Sequence, residues 1–270
     1  MVARIPASRT LKSDTTIEQL SIRVAGSAAN CAIAAAAAGA QVEVVGLVGS
    51  DAFGAMILEK LKASGVGASL IRRCSEQTGV VISQVQPNGE RTFLSYRGAN
   101  AQPYGTLPKE VKEMADFVLL SGYSLQDEAS AETALTLKSL ATTCLFDPSY
   151  LFARDFQMCH KEHLCGVSVV TPNLEEAQLM TGQKAPEDCA AALHDLGVET
   201  VIVKLGPQGC YVHTKRCRQR IPTSPVTGRA DTTGAGDAFC GTLLAQCVRG
   251  VDIVEAAGRA NEAARKHVCS

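Results

Sequence analysis

Short runs of apolar, often β-branched residues recur along the chain, separated by stretches in which apolar positions return with helical spacing. Val42 to Val48, Phe117 to Ser121, Cys144 to Asp147, Val167 to Thr171 and Thr200 to Lys204 read as strands. Helices are predicted at Ala29 to Ala38, Ala52 to Ala63, Ala131 to Leu140, Leu174 to Met180 and Asp188 to Leu196. Two more run from Gly236 to Val248 and from Ile253 to Lys266. Gly or Pro marks most junctions (Gly39, Gly65, Pro148, Gly182, Gly197), where helices stop and turns begin. Strands of this kind alternating with helices predict an α/β fold: a doubly wound, mostly parallel sheet with helices on both faces.

One stretch breaks the rhythm. Gly79 to Val85 and Arg91 to Tyr96, joined through Pro87-Asn88-Gly89, read as an antiparallel hairpin, because Asn-Gly between β-rich segments is a strong turn signal. Thr15 to Val24 adds a strand beside it. The expected organisation is a small β lid from residues 1–24 and 76–100 on an α/β core from residues 25–75 and 101–270. A hairpin alone is marginal unless its apolar face is covered. Val81, Phe93 and Leu94 offer such a face, which points to a homodimer through the lid.

Composition narrows the partners. A net charge of −1 and a pI near 6.5 give no electrostatic ground for nucleic acid or an anionic membrane. Aromatic residues make up only 4% and Trp is absent, which argues against a base-stacking platform. No apolar run approaches the ~20 residues of a membrane span. Met1 to Ser13 carries basic residues without an apolar block, so no secretory signal is read and the cytoplasm is the expected compartment. The eleven cysteines are scattered through apolar contexts, which predicts reduced, mostly buried thiols. Cys159, His160, His163 and Cys165 are donor types that zinc accepts, but their setting reads as a polar loop between a helix and a strand.

The most informative stretch is Asp231-Thr232-Thr233-Gly234-Ala235-Gly236-Asp237-Ala238-Phe239, where a polar loop opens an apolar helix. The amides of Gly234, Ala235 and Gly236 at such a start suit a phosphate anion, and the glycines clear side chains from its approach. Asp237, in the first turn, is placed to accept a proton from a hydroxyl attacking a phosphoryl group. The P-loop pattern is missing, and Phe239 stands at the third glycine position of the dinucleotide fingerprint, which therefore fails. Taken alone, the loop is equally an ordinary glycine turn capping a buried helix, with Asp237 as a first-turn charge.

Together with other motifs, this loop resembles the C-terminal signature of the ribokinase-like (phosphofructokinase-B type) carbohydrate kinases. Gly26-Ser27-Ala28-Ala29-Asn30-x-Ala32, then Val48-Gly49-x-Asp51-x-Phe53-Gly54, resembles that family's N-terminal signature. Thr171-Pro172-Asn173-x-x-Glu176 and Lys204-x-Gly206-x-x-Gly209 match its intermediate motifs in order.

The resemblance implies an ATP-dependent kinase acting on a hydroxyl of a sugar or nucleoside. Asp237 matches the family's general base, and Gly234, Ala235 and Gly236 its anion hole. Asn173 and Glu176 match the pair that holds the Mg²⁺–phosphate region through water. Lys204, Gly206, Gly209 and Asn261, with Asn173, match the ATP side; Gly26, Ser27 and Asn30 match positions that bind substrate hydroxyls. A monovalent cation such as K⁺ would use Asp231 and Thr233. On the residues alone, Asn173 reads equally as a helix cap, Glu176 as a first-turn charge and Asn30 as a turn amide.

The chain also departs from the family. Ala25 replaces the first of two glycines. The family's first core strand and substrate-gripping aspartate precede the glycine pair, and Met1 to Pro6 offers no such aspartate. The core is therefore expected to be short at both ends, with the helix of Asn261 followed closely by Ser270. Arg97-Gly98-Ala99-Asn100 resembles the ribokinase branch, implying a furanose-type sugar or nucleoside. The alternative is a catalytically weakened member that binds a ligand or partner.

Overall fold

In the computed structural model, residues 2–4, 19–85, 91–159, 161–226 and 232–269 are described. The Pro87-Asn88-Gly89 turn, His160, Asp231 and most of the Met1 to Pro6 and Thr15 to Glu18 stretches lie outside them. The first half of the chain carries β1 (Val2–Arg4), β2 (Gln19–Ser21), α1 (Ser27–Ala37), β3 (Gly46–Gly49), α2 (Ala52–Ala63) and β4 (Ile71–Cys74). Then come β5 (Val80–Val85), β6 (Arg91–Tyr96), α3 (Val111–Met114), β7 (Phe117–Ser121) and α4 (Glu128–Leu140). The second half runs through β8 (Thr143–Asp147), α5 (Tyr150–Cys159), β9 (Val169–Val170), α6 (Leu174–Thr181) and α7 (Pro186–Asp195). It ends with β10 (Thr200–Lys204), β11 (Cys210–Thr214), β12 (Arg218–Ile221), α8 (Ala235–Val248) and α9 (Ile253–Cys269).

The main sheet has six strands in the order β12-β11-β10-β9-β8-β7. β7 to β10 run parallel, and the β11–β12 hairpin closes one edge antiparallel. Alternation along these strands sorts their side chains onto two faces. Cys144, Phe146, Val170, Val201 and Val203 pack on one side with Ala153, Phe156, Ala177 and Leu193 of α5, α6 and α7. Leu145, Val169, Ile202 and Val212 pack on the other with Phe239, Leu243 and Ala257 of α8 and α9. Ile202 is fully buried, worth roughly 1.5–3 kcal/mol of transfer free energy for such a side chain.

Helix ends follow their sequence signals. Asp51 caps α2 by accepting from Gly54 N–H at 2.8 Å, and Lys60 and Lys62 sit in its last turn. Asn173 and Glu176 form a reciprocal capping box on α6, which stops at left-handed Gly182. α1 and α8 cross closely because a Cβ at Gly241 would collide with the Cys31 carbonyl.

The first half of the core is different. β3 and β4 form a separate two-stranded parallel sheet. Among the described residues, β3 pairs only with β4 and β7 only with β8, so two parallel edges stay apart. Leu47, Val48, Leu119 and Leu120 from these edges, with Cys31 and Ala32 of α1, line a cleft that continues under the lid. The strand expected at Val42 to Val48 shrinks to Gly46–Gly49, although Glu43 ahead of it keeps an isolated parallel bridge to Gly67, with Val44 N–H on the Gly67 carbonyl at 3.1 Å and Gly67 N–H on the Val42 carbonyl at 2.8 Å. Val167 to Thr171 likewise shortens to Val169–Val170, although Ser168 and Thr171 still reach β8 through backbone bonds.

The strands expected to form a lid make a separate sheet of order β2-β1-β5-β6. The hairpin strands lie where the pattern put them, with Ile82 opposite Leu94 and Ser83 opposite Phe93. β1 sits between β2 and the hairpin, so the strand expected beside the hairpin is a neighbour once removed. Phe93 and Val81 share one face and line the cleft, whereas Leu94 projects from the other and is exposed. Among the described residues no helix is long and apolar enough to cross a membrane.

Candidate active site

Open parallel sheets place ligands beyond the carboxyl ends of their strands. Asp147 ends β8, Lys204 ends β10, Asn173 follows β9, and α8 begins above them. At that helix start Gly234 is left-handed (φ 84°). A Cβ on Gly236 would stand 3.4 Å from Lys204 Nζ, so glycine keeps this corner open. The leading amides of α8, Gly236 and Asp237 among them, have no carbonyl within the helix to meet, as at any helix start. Ala235 departs from the expected anion hole: its N–H donates to the Thr232 carbonyl at 3.2 Å, closing the turn.

Asp237 points back between α1 and α8. Asn30 Nδ2 donates to Asp237 Oδ2 at 2.8 Å, and Ser27 adds a side-chain bond. Cys31 Sγ lies 3.9 Å from Oδ1. Burial raises the Asp237 pKa from its ordinary value, opposed by the bonds from Asn30 and Ser27, with Asp147 adding to the rise and Lys204 countering it. Ser27 and Asn30, expected at the substrate, thus also hold this carboxylate, and Gly26 caps their helix with φ 120°.

Asn173 and Glu176 stand together in the α6 capping box: Glu176 Oε2 accepts from Asn173 N–H, and Asn173 Oδ1 from Glu176 N–H, both at 2.9 Å. The bland reading of both residues as cap and first-turn charge is therefore real, and Glu176 also lines the cleft. Burial pushes the Glu176 pKa up to about 7, moderated by Lys204 and reinforced by Asp147. Asn173 and Glu176, oxygen donors on one helix turn at the cleft, suit a divalent cation held through water.

Gly206 and Gly209 form a tight turn after β10, with Leu205 N–H on the Gly209 carbonyl at 2.8 Å. A Cβ on Gly209 would strike the Ile221 carbonyl. Asn261 is buried and donates to that same carbonyl at 3.0 Å, tying α9 to the turn. Thr233 meets His267 Nε2 through its carbonyl at 2.9 Å. Its expected companion Asp231, and His160 of the candidate zinc cluster, lie outside the described residues. Among the described residues no group of three His, Cys, Asp or Glu side chains is gathered as a metal site.

Sequence reasoning missed Asp147, Tyr123 and Cys240 here. Lys204 Nζ reaches Asp147 Oδ1 at 2.6 Å, with both side chains nearly buried. Tyr123, on the turn after β7, shares the electrostatic surroundings of Glu176, Asp237 and Asp147. Cys240 Sγ lies 3.7 Å from Lys204 Nζ. The position of Asp147 at the end of a buried strand, followed by Pro148, was the one available signal.

The family model described as pfkB family carbohydrate kinase matches residues 3–270. The ribokinase of Bacillus subtilis is 30% identical over 248 residues, covering 91% of this chain and 81% of its own. The 2-dehydro-3-deoxygluconokinase of the same bacterium is 27% identical over 255 residues, covering 88% of this chain and 78% of its own. The structure of Arabidopsis thaliana ribokinase with ribose and ATP superposes at a TM-score of 0.83 and 24% identity, over all of this chain and 89% of the other. The doubly wound layers, the α8 turn with its aspartate and a family match of nearly full length agree: the chain belongs to the pfkB family of carbohydrate kinases.

Proposed function

We propose that the chain transfers the γ-phosphoryl group of ATP to a hydroxyl of a furanose-type sugar or nucleoside, with Asp237 as general base. The observation that carries this is the Asp237 carboxylate itself: half-buried, held by Asn30, and placed in the first turn of α8 beside its leading amides. Asp237 takes the proton as the acceptor oxygen bonds to phosphorus and the bond to the β-phosphate oxygen breaks. The α8 start, with Gly234 and Gly236, receives the charge that develops on the phosphoryl oxygens. Glu176 and Asn173 are the residues that would hold Mg²⁺ through water, and that ion supplies charge screening of the polyphosphate. Use of ATP is supported by the Arabidopsis relative solved with it. Arg97-Gly98-Ala99-Asn100, closing the lid hairpin, supports the furanose class.

The experiment is a turnover assay with ribose, fructose, 2-keto-3-deoxygluconate, adenosine and pseudouridine, run on the parent and on Asp237→Asn. The parent turns over at least one furanose-type acceptor, and the variant loses at least about a hundredfold in kcat while keeping its fold and nucleotide affinity. Because a base must be ionised, parental activity falls as pH drops through the raised Asp237 pKa. A variant with most of its turnover removes Asp237 from this role. One observation favours a second reading, a weakened kinase that mainly binds its ligand: the core sheet is interrupted between β3 and β7 beside the cleft. An inactive parent that still binds ATP and a sugar would select it.

A further inference from the structure

Val48-Gly49-x-Asp51-x-Phe53-Gly54 forms the corner between β3 and α2, and no step of the proposed transfer uses it. Asp51 Oδ1 accepts from Gly54 N–H at 2.8 Å, which is all that capping α2 requires. The carboxylate does more. Oδ1 also accepts from Thr78 Oγ1 at 2.6 Å, and Oδ2 accepts from Thr78 N–H at 2.8 Å, across 27 residues of chain. Thr78 is buried, and its Oγ1 in turn accepts from Gly49 N–H at 2.9 Å. A Cβ on Gly49 would strike the Glu76 carbonyl and the Thr78 nitrogen, so glycine lets the two segments touch. The Thr78 hydroxyl, ahead of the Thr78 and Gly54 amides, holds the Asp51 pKa down to about 2.

Thr78 stands at the base of the β5–β6 hairpin, where residues 76–79 lead in and residues 97–100 lead out. These two segments are bound to each other. Ala99 N–H donates to the Gln77 carbonyl at 2.7 Å, and Tyr96 OH donates to Glu76 Oε1 at 2.6 Å. The base is therefore a unit, and the pose of the hairpin depends on how that unit is tied to the core. One tie is Thr78 on Asp51. Another is Arg97, whose Nε donates to Asp127 Oδ2 at 2.8 Å and whose NH2 group donates to the Tyr123 carbonyl at 2.9 Å. The first tie reaches the β3–α2 corner and the second the start of α4, so the base spans the gap between the β3 and β7 edges.

We propose that Asp51 is a positioning residue: through Thr78 it seats the base of the hairpin, so that Val81 and Phe93 wall the cleft that receives the acceptor. Thr78, Val81 and Phe93 line the same cleft as Ser27, Asn30 and Asp237. Two accepting oxygens are what the position demands. Asn caps a helix as well as Asp does, but its NH2 group would face either Thr78 N–H or Gly54 N–H, donor against donor. The inference rests on the reading of the cleft as the place of a sugar or nucleoside, and it adds what holds one wall of that cleft in place.

The test separates pose from capping. The acceptor used is the member of the panel above that the parent turns over fastest. Asp51→Asn should raise KM for it by about tenfold, short of the roughly hundredfold that a 1 Å misplacement can cost. KM for ATP and kcat should change little, because Asp237 and the α8 turn belong to the other half of the core. Thr78→Val should act like Asp51→Asn, whereas Thr78→Ser keeps the hydroxyl and should stay near the parent. Combining Asp51→Asn with Thr78→Val should be no worse than either alone, since both break one link. The second readout is amide hydrogen exchange in the ligand-free protein. Residues 76–80 and 97–100 should exchange at least about tenfold faster in Asp51→Asn, while α2 keeps the parental rate. Exchange needs no turnover, so a failed kinase reading and a failed positioning role are distinguishable. If Thr78→Val does not fold, Asp51→Asn and Thr78→Ser still decide. A folded Asp51→Asn with parental acceptor KM and parental exchange at 97–100 would overturn the proposal and leave Asp51 as a cap. KM values for acceptor and ATP that rise alike would overturn it too.

Discussion

The two halves of the core are built from similar elements but finished differently. From β7 to β12 the sheet is continuous, its two faces carry separate apolar layers, and Ile202, Val203 and Val212 are fully buried. From β3 to β4 there are two strands, Leu47 and Ile71 are only half-buried, and one edge faces the cleft. Helix α1 joins the halves. It packs on α8 through Cys31 and Gly241, and it carries Ser27 and Asn30 to Asp237. The charged groups proposed for phosphoryl transfer all come from the continuous half, while the substrate-side residues come from the interrupted one. The groups proposed for transfer therefore sit on the more fully packed half, and the acceptor would be received by a part of the fold whose packing is thinner.

The largest effect that would break this contrast is on stability. Ile202→Ala should cost about 2–5 kcal/mol, the usual range for emptying a fully enclosed aliphatic site. Leu47→Ala, at the open edge of β3, should cost clearly less, because the neighbours can close on the space and part of the side chain already meets the cleft. Chemical denaturation of both variants checks the pair. Equal losses would show that the β3–β4 unit is as tightly integrated as the main sheet.

The same contrast explains what could be read from the sequence. In the continuous half, signals are local: a glycine pair before Asp237, a capping pattern at Asn173 and Glu176, and apolar runs long enough to mark β7, β8 and β10. These gave the fold class and the residues proposed for the site. The Lys204–Asp147 pair was not legible, because 57 residues separate its members and only the order β10-β9-β8 brings them close. The Asn30–Asp237 bond spans 207 residues and depends on the α1–α8 crossing. β12 was missed since Arg218-Gln219-Arg220 is polar, as suits an exposed edge strand. β4 and α5 were also missed. β4 is Ile-Arg-Arg-Cys, with too little alternation to stand out.

A middling effect sharpens the comparison from within the site. Glu176→Gln should keep the α6 capping box, because Gln also accepts from the Asn173 amide. It should raise the Mg²⁺ concentration needed for half-maximal turnover by about tenfold, the scale for losing a group that orients metal-bound water. In the parent, Glu176 ionises near pH 7, so Mg²⁺ affinity should rise through neutral pH, whereas the variant should lack that rise. Without metal the signs reverse. The folded-state pKa lies above the ordinary value of 4.5, so the parent loses stability as pH climbs from there to about 7, and the variant does not. Superimposable Mg²⁺ curves would leave Glu176 as a capping residue alone.

The smallest expected effect concerns a flaw inside the continuous half. His213 on β11 is buried, its ring centroid is 4.9 Å from that of His194, and neither of its ring nitrogens has a hydrogen-bond partner among the described residues. His194 uses its own Nδ1 on the Val198 carbonyl at 2.7 Å and so gives no relief there. Burial lowers the His213 pKa, with Arg218 and His194 adding to the shift and Asp195 opposing it. Above pH 6.5 both folded and unfolded chains carry this ring neutral, and stability does not depend on it. As pH falls below 6.5, the unfolded chain takes up the proton before the folded one, and stability is lost until the lower folded-state pKa is passed. His213→Leu removes the unmet nitrogens and the proton linkage together. It should stabilise the protein by about 1 kcal/mol at neutral pH, the low end for an unsatisfied buried polar group, and by more at pH 5. Thermal melts of both proteins at the two pH values check it. A variant that is no more stable than the parent at either pH would mean that His213 finds a partner in solution, and that the main sheet has no such weak point.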